Sequence, residues 1–436
     1  MLKSKKNTKD IILKFSKSPY LTKETKRIAF PLTNKNPICF LDSLDSKILK
    51  NYFLSNLIDI DNINITNIIK RESEIEINFS KNPSGEMIIK VNFNKTLSKK
   101  RKKKEKNTIP YSNNIMIIFF DSVSRANSIR QLKKTMNFFE QFISYKGGYN
   151  KKYPSENYHS FQFFKYHSFR EHTRGNYPLL IYGSKRTNKN KVRITKYLKE
   201  NGYITSYAGD ACKRDNTRTL HNLTINEVDD HQMLLCDPNK ENFNKNTIKC
   251  LYGKTHTEHL FEYTNQFWRK YKKNRKFSLI VTNDAHEGTL EVLKYYDNII
   301  YNYLNSLYND NLFKESSIFL LSDHGVGMPS IYFLFDFYKY EEQLPMLYLI
   351  INDRKNLTYN KQYLNIYENQ QSFITAYDIY NTISNLIYGN KYLFIKKKNE
   401  KKDSPKSPNG NSLFMKMNKK NRTSKNYINM VQYICK

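Results

Sequence analysis

The sequence lacks any long apolar segment and contains few cysteines. No stretch approaches the ~18 uninterrupted apolar residues that mark a membrane-spanning helix, and the longest apolar run, Ile115 to Phe120, has the length of a strand. Only 5 cysteines occur in 436 residues, and no two of them have the C-x₂₋₄-C spacing of a zinc-binding module. These absences exclude a spanning helix and a zinc finger in the chain as given.

No secretory leader is visible at the N-terminus, where Lys3, Lys5 and Lys6 precede no apolar core segment and no A-x-A cleavage site. The odd cysteine count favours neither an oxidising nor a reducing compartment. If the domain matures in an oxidising lumen, we expect Cys236 and Cys250 to form a disulfide, because they flank the same polar loop of the chain.

Acidic residues are scarce beside basic ones. The chain has 73 Lys and Arg against 40 Asp and Glu, which leaves a formal net charge of +33. Such an excess invites a nucleic-acid interpretation. However, the lysines are spread through a chain that is equally rich in Asn, Ile and Tyr, so a drift in overall composition is the favoured explanation. At 39% hydrophobic and 14% aromatic residues, the chain is able to bury a real core.

The order of segments predicts four parts. Residues 1–96 form an N-terminal subdomain with a β-hairpin within Glu74 to Phe93, where residues alternate around a Pro-Ser-Gly turn. Residues 97–107 are too lysine-rich to bury apolar area and are expected to be a basic linker. Residues 108–395 repeat short apolar runs, turns and amphipathic helices, which predicts an α/β domain. Residues 396–436 are expected to be a basic and mostly disordered tail.

Five apolar runs of the central part end in or near a carboxylate. Because ligands bind at the carboxyl ends of parallel strands, this coincidence is the strongest functional signal in the sequence. The runs end at Ser122, Asp210, Asp284, Gly325 and Asp353. The spacing of apolar residues predicts helices in three segments, Arg125 to Ser144, Gly288 to Tyr308 and Ser372 to Gly389.

Three of these strand ends carry candidate metal ligands. Asp121 follows the first run, and its alternative role is a helix N-cap. Asp323 and His324 are adjacent and both can turn towards one metal because the following glycine frees the backbone; the alternative is a capped turn. Asp284 and His286 follow another run, and the alternative there is a polar loop.

The candidate nucleophile is Thr173. A hydroxyl at the N-terminus of a helix meets free backbone N–H groups and the positive end of the helix dipole, which favour a bound phosphate and a metal-stabilised alkoxide. Asn176 and Pro178 fit the first turns of such a helix. The alternative is that Thr173 is simply a helix cap.

Six motifs of the central part occur in a characteristic order and spacing. They are NNIMIIFFDSVSR, HTRGNYPLLIYG, Asp230-His231 through KCLYGKTHTEHLFEYTNQFW, SLIVTNDAHEGT, FLLSDHG and YEEQLPML. Together they resemble a family of uncharacterised eukaryotic proteins in the alkaline phosphatase and sulfatase superfamily. The resemblance covers about residues 110–390 and implies an α/β/α sandwich with a mostly parallel central sheet plus a small N-terminal β-containing region.

The resemblance also implies roles for the candidate residues. It places Asp121, Asp323, His324 and Thr173 in a primary metal site, with Thr173 as the nucleophile. His286 resembles a histidine that contacts the transferred group or a second metal, with Arg174 helping to neutralise the phosphate oxygens, and Asp284 is its neighbour among the metal ligands.

Two departures from the superfamily narrow the expected activity. Thr173 is followed by Arg-Gly-Asn-Tyr and no cysteine has a C/S-x-P-x-R context, which disfavours sulfate-ester hydrolysis by the usual route. No histidine lies between Gly325 and Pro345, so one divalent metal, with Zn²⁺ as first choice, is expected and a complete second site is in doubt. This brings the arrangement closer to single-zinc phosphoethanolamine transferases.

The sequence therefore predicts a metal-dependent hydrolase or transferase for a phospho-ester, either a small molecule or an ester linked to lipid or glycan. Nucleic acid is disfavoured as a partner, and the resemblance suggests a lumenal, extracellular or membrane-associated setting. The alternative function is a catalytically decayed member that binds anionic surfaces or partners through its basic charge.

Overall fold

The structure is a computed structural model. It describes residues 2–4, 10–14, 27–31, 80–81, 87–89, 91–105, 108–143, 158–184, 193–210, 229–235, 250–251, 254–286, 290–326, 337–352, 361–396 and 404–417. The strands in these ranges are β1 (Leu2–Ser4), β2 (Asp10–Lys14), β3 (Arg27–Pro31), β4 (Ser80–Lys81), β5 (Met87–Ile88), β6 (Asn114–Phe120), β7 (Tyr158–Gln162), β8 (Ile204–Gly209), β9 (His231–Leu234), β10 (Cys250–Leu251), β11 (Lys254–Thr255), β12 (Lys276–Thr282), β13 (Ser316–Ser322) and β14 (Leu347–Asn352).

The α-helices of the described ranges alternate with the strands of the central part. They are α1 (Lys95–Glu105), α2 (Arg125–Gln131), α3 (Lys133–Glu140), α4 (Thr173–Tyr182), α5 (Ile194–Glu200), α6 (His256–Lys270), α7 (Asp297–Asn309), α8 (Phe337–Gln343), α9 (Lys361–Asn369) and α10 (Ala376–Tyr388), with 3₁₀ turns at Val292–Tyr296 and Gly389–Phe394. Within the part of the chain that the structure describes, no helix has the length and apolar character needed to cross a membrane.

A seven-stranded sheet forms the centre, in the order β7-β14-β13-β6-β12-β8-β9. The five strands from β13 to β9 run parallel to one another, whereas β14 is antiparallel to both of its neighbours. Smaller antiparallel sheets pair β1-β2-β3, β4-β5 and β10-β11. The predicted α/β fold with a mostly parallel sheet is confirmed, and β4 and β5 fall within the predicted hairpin.

Strand β6 packs both of its faces against helices, because its side chains alternate between two apolar layers. Ile115, Ile117 and Phe119 pack in one layer with residues of α4, α5 and α10. Met116 and Ile118 pack in the other layer with residues of α3, α6 and α7. Such two-sided burial explains why the central strands read as continuous apolar runs, and it produces the expected sandwich of helices around a sheet.

The register of the sheet brings the strand ends to one level. Phe120, the last residue of β6, pairs with Thr282 at the end of β12 and with Ser322 at the end of β13. Asp121 and Asp323, which follow directly, therefore leave the sheet side by side. This edge carries the candidate site.

One strand end does not belong to this edge. Because β14 is antiparallel to β13, Ile351 pairs with Ser317 near the start of β13, and Asn352 accepts a hydrogen bond from the Glu315 backbone N–H at 2.9 Å. The end of β14 thus lies at the opposite edge from Asp121. The expectation that all five carboxylate-bearing runs end together is wrong for this run, and Asp353 itself lies outside the described residues.

The expected basic linker is a helix in the structure. Helix α1 starts after Asn94, whose side chain accepts the Leu97 backbone N–H at 2.8 Å, and lysine is a good helix former. Arg101 is buried in an ion pair with Asp230, and the Ser98 hydroxyl donates to Asn274 at 3.0 Å. Composition misled here because buried pairing holds the helix to the domain.

The expected disordered tail is ordered in part. Within residues 404–417, the side chains of Leu413, Phe414 and Met417 are buried in the layer that contains α10. The Leu413 backbone N–H donates to Thr382 of α10 at 2.9 Å. The domain boundaries otherwise stay a prediction, and Cys236 lies outside the described residues, so its pairing with Cys250 also stays a prediction.

Candidate metal centre at the sheet edge

A buried cluster of metal-ligating atoms lies where β6 and β13 end. Asp121, Asp323 and His324 each offer one such atom, and these atoms all lie within 4.8 Å of one another. His324 Nε2 is 3.6 Å from Asp121 Oδ1 and 3.5 Å from Asp323 Oδ2. We call these three residues the primary cluster. The adjacency of their strands explains why residues about 200 positions apart in sequence meet.

Thr173 joins the primary cluster from a different part of the chain. It is the first residue of α4, and its half-buried hydroxyl lies 3.1 Å from Asp121 Oδ1 and 3.2 Å from His324 Nε2. Its position in the first helical turn sets free backbone N–H groups and the positive end of the helix dipole beside it. The structure therefore brings Asp121, Thr173, Asp323 and His324 together, whereas their roles as metal ligands and nucleophile stay predictions.

Ser122 positions the primary cluster and gave no signal in the sequence. Its φ of 63° lies in the left-handed region, which is uncommon for a residue other than glycine and is found where surrounding structure enforces it. In this conformation its hydroxyl donates to Asp121 Oδ1 at 2.9 Å and its backbone N–H donates to Asp323 Oδ1 at 3.4 Å. Ser122 thus orients both carboxylates of the primary cluster.

The His324 ring is oriented by a backbone carbonyl. Its Nδ1 lies 2.7 Å from the Gly325 carbonyl oxygen, which only accepts, so Nδ1 carries the hydrogen. In the neutral ring Nε2 then has its lone pair directed towards Thr173 and the carboxylates. A ligating histidine commonly has this arrangement, with its other nitrogen donating to a carbonyl or carboxylate.

Gly325 has a different role from the one expected. A Cβ atom built at this position would collide with the Glu341 carbonyl oxygen, and the Gly325 N–H donates to the Glu342 carbonyl at 2.8 Å. The glycine therefore permits close approach of the chain at α8. It is this space, rather than a left-handed backbone, that holds Asp323 and His324 in place.

Burial and neighbouring charges shift the pKa values of two residues in the primary cluster. Burial raises the pKa of Asp323 to about 6; His324 opposes this shift and Asp121 adds to it. For His324, burial alone would lower the pKa, but the Asp323 and Asp121 carboxylates outweigh it and raise the pKa above its usual value. The raised pKa values of Asp323 and His324 favour their protonated forms, and a divalent cation bound there would displace those protons.

Asp284 belongs to a second group of ligating atoms. Asp210, His256 and Asp284 also place one such atom each within 4.8 Å of one another, and all three residues are buried. Asp284 follows β12 and accepts a hydrogen bond from Thr257 of α6 at 2.6 Å. The structure thus places Asp284 with residues that follow β8 and begin α6, so its predicted role as a metal ligand stays a prediction, in a group other than the primary cluster.

The remaining predicted residues lie near the edge with more solvent access. His286 is half-buried in the turn after β12, where its backbone N–H donates to the Asn283 carbonyl at 2.9 Å. Arg174 is exposed in the first turn of α4. Among the described residues, neither group of ligating atoms includes His286.

The fold and site define an α/β protein with metal-ligating side chains at the carboxyl edge of a mostly parallel sheet. The chain belongs to the family described as a protein of unknown function, DUF229, which matches residues 23–436. This confirms the expected family of uncharacterised proteins. No curated protein matches the chain.

Several solved structures resemble the chain remotely. The zinc complex of the C-terminal periplasmic domain of EcEptC from Escherichia coli is 10% identical over 65% of this chain and 84% of that one, with a TM-score of 0.41. The lipoteichoic acid synthase LtaP from Listeria monocytogenes is 11% identical over 68% and 78%, with a TM-score of 0.42. A protein in the alkaline phosphatase superfamily from Vibrio parahaemolyticus is 15% identical over 69% and 76%, with a TM-score of 0.41.

Proposed function

We propose that this protein is a metal-dependent hydrolase or transferase that acts on a phospho-ester through Thr173 as nucleophile. The observation that carries the proposal is the position of the Thr173 hydroxyl, 3.1 Å from Asp121 Oδ1 and 3.2 Å from His324 Nε2 at a helix N-terminus. The resemblance of six sequence motifs to the alkaline phosphatase and sulfatase superfamily supports the same chemistry.

The primary cluster fits a divalent cation. Asp323 Oδ2 is buried and makes no hydrogen bond with the described residues, although His324 Nε2 lies 3.5 Å away. A buried carboxylate oxygen without a hydrogen bond is costly unless a positive charge faces it. Two carboxylates, an imidazole nitrogen and a hydroxyl form a ligand set that suits Zn²⁺. Asp121, Asp323, His324 and Thr173 would hold the cation. When bound, it would lower the pKa of the coordinated hydroxyl and offset negative charge on the phosphate.

The chain's own residues supply the remaining steps. The Thr173 hydroxyl proton faces Asp121 Oδ1, so this carboxylate is placed to accept it as the oxygen attacks phosphorus. The bond from phosphorus to the leaving alkoxide breaks, and the leaving group takes up a proton from solvent. Water or an acceptor alcohol then attacks the phosphorus of the phosphothreonine and loses its proton to solvent. The bond from phosphorus to the Thr173 oxygen breaks, and this oxygen takes back the proton that Asp121 accepted. Arg174 and His286 lie at the accessible side, where they would neutralise the phosphate oxygens.

The substrate class follows from the same proposal. A half-buried hydroxyl beside buried ligands suits a substrate that presents only its phosphate to the site, as a phosphoethanolamine-like headgroup or another ester linked to lipid or glycan does. The rival, a decayed binding protein, does not account for a threonine, two carboxylates and a histidine that all converge on one point.

Replacement of Thr173 tests the proposal. Thr173→Ser should retain part of the turnover of p-nitrophenyl phosphate or bis(p-nitrophenyl) phosphate, whereas Thr173→Val should reduce kcat by about 10³-fold or more. Acid quenching of the wild-type reaction should trap a phosphothreonine at residue 173, detectable by mass spectrometry. Thr195→Ala is a matched control, because Thr195 lies in the first turn of a different helix, α5.

Two outcomes would overturn the proposal. If Thr173→Val turned over either probe at nearly the wild-type rate with unchanged metal content, another group would be the nucleophile. If the metal-loaded wild-type protein turned over neither probe and bound anionic vesicles instead, the binding-protein alternative would hold.

A further inference from the structure

We propose that Asp210, His256 and Asp284 form a second binding site for a divalent transition-metal cation. Their ligating atoms lie within 4.8 Å of one another and come from three elements: the end of β8, the first residue of α6 and the turn after β12. The proposal concerns metal binding alone and does not depend on phosphoryl transfer at Thr173.

The state of Asp284 is an independent observation that points to a cation. Asp284 is only 6% exposed, and its Oδ1 has no hydrogen-bond partner among the described residues. Its other oxygen accepts one hydrogen bond, from Thr257 at 2.6 Å. A buried carboxylate with one oxygen lacking a donor is destabilising unless a positive charge faces it.

The groups around the three ligands fix their orientation. The Asn283 backbone N–H donates to both oxygens of Asp210, at 2.9 and 3.2 Å. The Thr257 hydroxyl lies 2.9 Å from the Thr282 hydroxyl and donates to Asp284. Hydrogen bonds of this kind, made to the ligands of a metal rather than to the metal, set ligand direction in metal sites.

The capping box at the start of helix α6 positions His256. Thr255 caps the helix, and Glu258 completes a capping box with the Thr255 backbone N–H. This reciprocal pair fixes the first turn of α6, in which His256 is the first helical residue. The imidazole is therefore presented at the sheet edge by a helix end that cannot easily rotate.

Tyr296 offers an alternative explanation for the buried Asp284 carboxylate that requires no metal. Its hydroxyl is buried, and its pKa is raised by burial first and then by Asp284, so it stays protonated and is able to donate to that carboxylate. This hydroxyl faces Asp284 closely enough to raise the Tyr296 pKa, but its geometry in this conformation is not that of a hydrogen bond. If the cluster were purely hydrogen-bonded, a small rotation of Tyr296 would complete it and no cation would bind.

The chemistry of the ligands selects the class of cation. One imidazole nitrogen and two carboxylates suit Zn²⁺ or Mn²⁺, whereas Ca²⁺ and Mg²⁺ prefer ligand sets made of oxygen alone. Strand β12, which leads to Asp284, pairs directly with β6, which leads to Asp121. The two sites therefore lie side by side along one sheet edge, and the proposal adds a second metal to the one that the sequence predicts.

Metal content of the full chain tests the inference. We expect the wild type, reconstituted with Zn²⁺ and freed of excess metal, to retain about two equivalents of zinc, as measured by elemental mass spectrometry. Asp121→Asn with His324→Ala should leave about one equivalent, and Asp284→Asn with His256→Gln should also leave about one. All four changes together should leave none. Tyr296→Phe should retain the wild-type content.

Controls separate loss of a ligand from loss of the fold. His259→Gln removes a buried histidine one turn along α6 and should keep both equivalents. Circular dichroism and the thermal unfolding of the metal-free proteins show whether each variant folds. Co²⁺ substitution gives a second readout, since absorption bands of the second site should persist in the Asp121→Asn, His324→Ala protein and vanish when Asp284→Asn is added.

The inference fails if the folded Asp121→Asn, His324→Ala protein retains no metal, or if Asp284→Asn with His256→Gln leaves the metal content unchanged. It also fails if only Tyr296→Phe creates metal binding, because the cluster would then be a hydrogen-bonded one. None of these outcomes depends on turnover, so a failure of the nucleophile proposal is seen separately in the Thr173 variants.

Discussion

Asp323→Asn should stabilise the metal-free protein and destabilise the metal-loaded protein. In the folded, metal-free chain, burial raises the pKa of Asp323 from 3.8 to about 6. A raised carboxyl pKa contributes stability that is fully present below the unfolded value and is lost as the pH rises through about 6. Above pH ~7 the buried charge is therefore a net cost, which the asparagine removes.

The size of the effect follows from the pKa. The shift of about two units corresponds to about 3 kcal/mol at most, at 1.36 kcal/mol per unit. Part of this is offset because Asp323 also supports the charged form of His324. Asparagine keeps an oxygen that accepts from the Ser122 and His324 backbone N–H groups. We expect a net gain of about 1–3 kcal/mol at pH ~7.5, at roughly 2–4 °C in Tm for each kcal/mol in a large domain.

Thermal and urea unfolding in EDTA, at several pH values, measure this gain. The advantage of Asp323→Asn should shrink as the pH falls from about 7 to 5, because the wild-type carboxyl then takes up its proton in the folded state. With Zn²⁺ in excess the order should invert, since only the wild type gains the binding free energy of an intact site. Asp297→Asn is the control: Asp297 accepts the Lys134 and Thr135 N–H groups, each at 2.8 Å, and its loss should destabilise under both conditions. A variant less stable than wild type in EDTA at pH ~7.5 would refute the reasoning.

Two further predictions concern burial away from the site. Burial lowers the pKa of His231 to about 4, although Asp230 opposes the shift, so stability should fall by up to about 3 kcal/mol as the pH drops from 6.5 to 4. His231→Phe should flatten this slope in urea titrations, and an unchanged slope would contradict the assignment. Phe414→Ala should cost about 3–5 kcal/mol, because Phe414 is 1% exposed, whereas Phe394→Ala, at an 85% exposed position, should change stability by about 0.5 kcal/mol or less. Equal effects of the two alanine variants would show that residues 404–417 add nothing to the core.

Much of the central fold could be predicted because each central strand is a continuous apolar run in the sequence. The runs that end at Ser122, Asp210, Asp284 and Gly325 are buried on both faces, and such strands are continuous in apolar residues. The direction of β14 could not be predicted, since an antiparallel strand buried on both faces has the same apolar pattern as a parallel one. Pairing partners rather than composition decide that direction.

Regions rich in lysine were the main source of error. Helix α1 and residues 404–417 have compositions that predict linkers and tails, yet both pack on the domain. What holds them is specific: the Arg101–Asp230 ion pair in one case and the buried Leu413 and Phe414 in the other. Whether a charge-rich segment packs on the domain depends on the few residues that bury or pair there, and a count of residue types does not reveal them.

The primary cluster was predictable and the second group only partly so. Asp121, Asp323 and His324 stand directly at strand ends, where position alone indicates a role. Asp210 also ends a strand, but its partner His256 begins a helix that could have started at either edge of the sheet. The T-x-x-E pattern of the capping box at Thr255 marks where that helix begins, not which edge it faces.

The two groups of ligating residues differ in their access to solvent, and this difference bears on the roles proposed for them. Asp210, His256 and Asp284 are all buried, and the hydroxyls and backbone N–H groups that contact them come from residues that are themselves buried. The primary cluster is equally buried, but the half-buried Thr173 beside it contacts Asp121 through its hydroxyl. Under the proposed function, a phosphate would reach the primary cluster at Thr173, whereas a cation bound by the second group would meet only the protein. A metal in the proposed second site would thus fix the strand ends and balance the charge of Asp210 and Asp284 beside the proposed reacting centre.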